Sequence, residues 1–170
     1  LMQHSSGIAD YRNEKGFDVS ADYRPEQLIE TVAAIPLAFE PGTDVKQSAT
    51  NFLLLTSIIE KAGKMPYHDF VKKYQIDYLG LKQTFFGEDL AKVKQEDVTL
   101  TGNVHQTFKK DKDYINPSET TTGYVEKEGR LVAAPAVSPT AMKGFSDIWA
   151  SAENVSHWDI GLAGSALIEK

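Results

Sequence analysis

The sequence predicts an α+β chain, predominantly α, with one small β-hairpin. Three observations point there. Apolar residues recur at helical spacing in four separate segments, at 25–35, 49–62, 66–81 and 151–162. Only Thr121 to Val132 alternates in the manner of paired strands, and it holds the turn dipeptide Glu128-Gly129. The totals are those of a globular chain: 170 residues, 41% hydrophobic and 25% charged, enough to bury a core and too apolar for wholesale disorder.

Taken in order, LMQHSSGIADY is a short apolar start broken by the turn signal Ser5-Ser6-Gly7. A helix opens at Arg24-Pro25-Glu26-Gln27, because Pro25 suits a first helical position, where no N–H donor is needed. Leu28, Ile29, Val32 and Ala33 share its apolar face, and Pro36 ends it. Pro41-Gly42-Thr43 turns the chain, and Ser48 suits the N-cap of a helix from Ala49 to Ala62, stopped at Gly63. The stripe Phe52, Leu55 and Ile59, with Leu53 and Ile58 beside it, predicts burial on most sides. Pro66 starts a third helix that carries Phe70, Val71 and Tyr74 inward, and Leu79-Gly80-Leu81 closes it. From Lys82 to Asp113 charge rises and periodicity weakens, which predicts loop with one short helix. Pro135 to Pro139 is loop. Ser151 then caps a last helix with Val155, Trp158 and Leu162 on one face.

Several function classes fall away. A net charge of −6 and a pI near 5.2 disfavour nucleic acid as a partner. The absence of cysteine removes disulfides, thiolate metal sites and a cysteine nucleophile together. His4, His68, His105 and His157 show no metal-ligand spacing, no Gly-rich phosphate loop occurs, and no cofactor is implied. The apolar run Phe52 to Ile59 is interrupted by Thr56 and Ser57 and is far too short for a membrane span. The opening residues carry no signal peptide, and Leu1, set inside an apolar segment, reads as part of something longer. Phe145, Trp149 and Trp158 fit an apolar helix face better than a binding platform. His4-Ser5-Ser6-Gly7 and Ser48 are hydroxyl-rich, but a nucleophilic serine needs a base in hydrogen-bond reach. Adjacency in sequence does not supply one. Capped turns are the favoured reading of both.

The stretches nevertheless resemble those of one family in consistent order. LMQHSSGIADY is similar to a segment LLxHTSGLPxY, and PEQLIETVAAIPLAFEPGT to a helix followed by PLxFxPGT. SATNFLLLTSIIEKAGKMPYHDFVKKYQIDYLGLKQTFF follows SNTNYxLLGxIIExVSGxSYxxFxxxxIFxPLGMxxT, and WASAENVSHWDIGL resembles STAEDLAKWxxAL. Thr122-Gly123-Tyr124 adds a weaker GY element. Together they resemble the serine β-lactamase-like superfamily of class C β-lactamases, D,D-peptidases and related esterases. The likeness covers essentially the whole chain.

That resemblance implies three catalytic motifs. S-x-x-K brings the nucleophilic serine and an activating lysine, Y-x-N a proton-relaying tyrosine and a substrate-contacting asparagine, and K-[ST]-G or H-x-G a closing strand. The first and third do not occur in the sequence. The family order sets them before Leu1 and after Lys170, so residues 1–170 are expected to be the central helical region of a partial domain lacking most of its sheet. The second motif falls on Gln47, Ser48 and Ala49, which are assigned as its degenerate substrate-binding positions. Gln47 cannot relay a proton as a phenol does, and Ala49 has no amide to orient a substrate. The literal strings Tyr11-Arg12-Asn13 and Tyr114-Ile115-Asn116 lie in the wrong register and are coincidences.

The resemblance therefore implies a fragment of a serine hydrolase of penicillin-binding-protein or esterase type, with no catalytic residue in this chain. The alternative is a non-catalytic binding or scaffold protein for cell-wall or peptide ligands. The resemblance further implies a small-molecule or peptidoglycan-like ligand and an extracytoplasmic location. Loss of the sheet implies an exposed apolar face open to self-association.

Overall fold

The computed structural model describes residues 1–90 and 121–167. Pro25 occupies the first position of helix α1 (Pro25–Ala33), and the Gln27 side chain accepts the Arg24 N–H at 2.9 Å to hold that entry. Leu28 and Val32, one turn apart, are buried; Ala33 is exposed and the helix stops there, ahead of Pro36. Helix α2 (Ala49–Gly63) runs through the glycine expected to stop it, and Lys64 takes the left-handed cap at φ 53°.

The burial of α2 departs from the predicted pattern. Ala49, Thr50, Asn51, Leu53 and Thr56 are buried, whereas Phe52, Leu55 and Ile59 are half-buried and Ile58 is 52% exposed. The reason is hydrogen bonding. Thr50 and Thr56 hydroxyls bond backbone carbonyls and the Asn51 amide bonds Ser6, so the polar stripe of the helix is satisfied inside. With Tyr11, Leu28 and Val32, Ala49 and Leu53 form the first core cluster.

Helix α3 (Tyr67–Val71) passes directly into a π turn, Lys72–Ile76. The Asp77 N–H donates to Lys72 O at 2.8 Å, one residue beyond α-helical spacing, and this rotates the inward face. Val71 and Ile76 are buried, and Tyr74, expected inside, is exposed with the Lys73 ammonium 4.9 Å from its ring centre. Leu81 and Phe86 complete this second cluster.

Two small antiparallel sheets occur among the described residues. Strand β1 (Thr84–Phe86) pairs with β4 (Ile148–Ala150), Phe85 opposite Trp149. Of the stretch expected as loop, only residues 82–90 are described, and they hold β1 and the helical turn α4 (Gly87–Leu90). Three-residue strands are too short to show alternation in sequence. The expected hairpin is present as β2 (Tyr124–Lys127) against β3 (Arg130–Ala133). Glu128 and Gly129 take φ 55° and 73°, the left-handed pair of a type I′ turn.

Ser151 caps the last helix, α5 (Ala152–Ala163), by accepting the Asn154 N–H at 3.2 Å. Val155, Trp158 and Leu162 are exposed on it, so an apolar face does remain open to solvent. Phe145, Trp149 and Trp158 do not share a helix face; they lie in a turn, in β4 and in α5, because the chain changes element twice between them. No helix of the described residues is long and apolar enough to cross a membrane.

The turn before β4 docks on α2 through Gly144. Its φ is 76°, and a Cβ there would lie 2.3 Å from Thr56 Cγ2 and 3.1 Å from the Phe52 carbonyl oxygen. Gly144→Ala is expected to cost about 1–3 kcal/mol through overpacking and left-handed strain. In urea unfolding the midpoint should fall while the slope is unchanged; an unmoved midpoint would show that the turn does not bear on α2.

Candidate active-site corner

The corner containing Gln47-Ser48-Ala49 is assembled by the first eleven residues. Gly7, at φ 72°, lies so close to Phe39 that a Cβ would sit 2.2 Å from the Phe39 carbonyl oxygen. This close approach lets Ala38 N–H donate to Gly7 O, Gly42 N–H to Ser5 O and Lys46 N–H to His4 O, at 2.8, 2.8 and 3.0 Å. The chain around the Pro41-Gly42-Thr43 turn is thereby tied alongside His4-Ser5-Ser6-Gly7.

At the start of α2 the side chains take over. His4 Nδ1 accepts the Ser48 N–H at 3.3 Å, so the proton of the neutral ring sits on Nε2. Ser6 Oγ donates to Asn51 Oδ1 at 2.6 Å. Thr50 Oγ1 donates to Ala9 O at 2.6 Å and accepts the Tyr11 N–H at 3.1 Å. Ser48 is the N-cap residue by position, yet its hydroxyl does not cap; it turns back to Ala9 O at 3.3 Å. Asp10 replaces it: Oδ2 accepts the Ala49 N–H at 3.1 Å, setting a negative charge at the positive end of the helix.

Arg12 anchors that carboxylate, with Nε 3.0 Å from Oδ1 and Nη2 2.6 Å from Oδ2, and lays its guanidinium 4.5 Å from the centre of the Phe145 ring. Burial by itself pushes the Asp10 carboxyl up. The bonds from Arg12 and from the Ala49 and Arg12 N–H groups outweigh it and hold the group below the ordinary 3.8. No local sequence signal links Asp10 to a helix that starts 39 residues later, and so this cap is invisible to pattern reading.

The three assigned positions end in different places. Gln47 is exposed, Ser48 is 2% exposed, and Ala49 is fully buried in the first core cluster. Only the Gln47 carboxamide faces solvent; it donates and accepts hydrogen bonds but cannot shuttle a proton. The hydroxyls of Ser6 and Ser48 are committed to Asn51 and Ala9, and among the described residues neither bonds an imidazole nitrogen. Tyr11, of the literal string Tyr11-Arg12-Asn13, is wholly buried and donates from its hydroxyl to Ala141 O at 2.8 Å. Burial, reinforced by the Asp10 charge, pushes its phenol up to about 12, which suits a fastening and not a relay. Tyr114-Ile115-Asn116 lies outside the described residues.

Because the folded carboxyl of Asp10 lies below its unfolded value, its contribution to stability is complete above pH 3.8. It is lost as the pH falls from there through the folded value. Asp10→Ala should cost about 2–4 kcal/mol at neutral pH by stranding Arg12 and the Ala49 N–H. Asp10→Asn should flatten the acid limb of a pH series of thermal melts. An unchanged acid limb would remove Asp10 from the role of helix anchor.

Residues 1–169 match the Beta-lactamase family. No curated protein matches the sequence. Among solved structures, a D-stereospecific amidohydrolase from Streptomyces sp. superposes with a TM-score of 0.76 at 19% identity, covering 99% of this chain and 46% of its own. The D-amino acid amidase of Ochrobactrum anthropi SV3, complexed with L-phenylalanine, gives 0.72 at 14% identity, with 99% and 42% covered. A penicillin-binding protein from Bacillus halodurans gives 0.65 at 16% identity, with 99% and 46% covered. The chain thus spans less than half the length of these neighbours, and the likeness to them is one of fold. The match over residues 1–169 makes the chain a member of the Beta-lactamase family.

Proposed function

We propose that this chain is the helical part of a β-lactamase-related serine hydrolase, of penicillin-binding-protein or esterase type, and that it turns over no substrate alone. One observation carries the reading. At the corner where the family pattern calls for a phenol and an amide, the chain presents one exposed carboxamide, Gln47, beside a buried serine and a buried alanine. A serine attacks only when a neighbouring base takes its proton, and neither S-x-x-K nor K-[ST]-G occurs in the sequence to supply one. Two structural neighbours, a D-stereospecific amidohydrolase and a D-amino acid amidase, favour an amide as the substrate class of the whole protein. An extracytoplasmic location belongs to the same proposal.

The exposure of Gln47 favours a second reading, in which the corner holds a cell-wall or peptide ligand without cleaving it. A carboxamide pairs well with a backbone amide, donating from nitrogen and accepting at oxygen.

Intact mass before and after treatment with a fluorophosphonate and with a penicillin tests the first reading. The expected result is 18.8 kDa with no adduct. A single stoichiometric adduct would overturn it and return Ser48 and Ser5 to consideration. For the second reading, a D-alanyl-D-alanine peptide should bind saturably, and Gln47→Ala should weaken it about five- to tenfold, the worth of one or two hydrogen bonds. Binding indifferent to Gln47→Ala would reject this role.

A further inference from the structure

At the far end of α2 from Gln47, about 17 Å along the axis from Ala49 at 1.5 Å per residue, Glu60 borders a cavity of about 360 Å³. Its walls come from the entry of α1, the end of α2, the start of α3, the end of β1 and the turn before β4. It shares no residue with the Gln47 corner.

Glu60, Asp69, Glu88 and Asp147 bring carboxylates to this cavity, and Lys143 brings an ammonium. Lys143 is already engaged, its Nζ 3.0 Å from Glu60 Oε1, which also accepts the Tyr67 N–H at 3.0 Å. Glu88 Oε1 lies 3.4 Å from His68 Nδ1. Asp147 feels the Lys143 charge but makes no direct ion pair among the described residues. It is 8% exposed, and Oδ2 accepts the Gly144 N–H at 2.9 Å. Burial pushes its carboxyl up, and the Glu88 charge adds to that; the backbone N–H donors and Lys143 only reduce the effect. A carboxylate enclosed without a cation is costly to the fold, and a positive ligand removes the cost.

The remaining walls select the kind of cation. Tyr23, Tyr67 and Phe86 line the same space, and aromatic rings attract positive charge while accepting alkyl groups. Tyr67 and Phe86 are fixed edge to face, 5.7 Å between centres, and Tyr23 is stacked on Phe17 at 5.6 Å, so these walls are preformed. Among the described residues no group of three or more acidic or histidine side chains is placed to hold a metal ion. The volume lies at the lower end of small-molecule sites. We propose that this cavity binds a small organic ammonium, with its charge at Asp147 and its alkyl part against Tyr23, Tyr67 and Phe86.

Isothermal titration of the full chain with n-butylammonium, and in parallel with uncharged 1-butanol, tests the assignment. The ammonium should bind saturably and the alcohol at least tenfold more weakly. Asp147→Asn keeps an acceptor for the Gly144 N–H and should weaken the ammonium tenfold or more. Glu88→Gln, on a side chain that is half exposed, should weaken it two- to fivefold. Equal binding of the alcohol, no saturation by the ammonium, or a folded Asp147→Asn variant with unaltered affinity would each overturn the proposal. If Asp147→Asn fails to fold, the ammonium–alcohol comparison and Glu88→Gln decide it.

Discussion

The Asp10 carboxylate joins contacts from three parts of the chain. It holds Arg12 beside it, receives the first N–H of α2, and through Arg12 reaches the Phe145 ring in the turn before β4. One charged group thereby bears on the start of α2, on the first eleven residues beside it and on the later turn. Its own burial opposes ionisation, and the donors gathered around it reverse that balance. The neighbouring bonds from His4, Ser6 and Thr50 act in the same place, so the entry to α2 is fastened by polar contacts more than by apolar ones.

This arrangement explains why α2 buries its polar residues and leaves apolar ones half open. Thr50, Asn51 and Thr56 face segments that supply matching donors and acceptors, and none of their buried polar atoms lacks a partner. Phe52, Leu55, Ile58 and Ile59 face directions in which the described residues provide less cover. The open apolar surface on α5 has the same character, with Gly161 drawn in against Leu79 while Val155 and Leu162 stay outside.

The two ends of α2 differ in chemistry. At its start the Asp10 charge is paired and enclosed, Ser48 and Ala49 are sealed in, and of the three positions 47–49 Gln47 alone meets solvent. At its other end Glu60 and Lys143 pair beside a cavity where Asp147 has no such partner. The helix thus runs between the Gln47 corner and this cavity.

Much of this was legible in the sequence. Pro25 placed the start of α1 because its ring presets φ and needs no donor, Glu128-Gly129 placed the hairpin because a two-residue turn demands left-handed φ, and Ser151 capped α5. The family resemblance likewise followed from ordered motifs. What only the tertiary structure decided were features that depend on distant partners. The replacement of Ser48 by Asp10 as the cap, the inward turn of Ala49 and the pairing of β1 with β4 belong here. Local signals arise from the covalent limits of one or two residues, whereas these outcomes arise from hydrogen bonds and packing between segments tens of residues apart, which no short window of sequence contains.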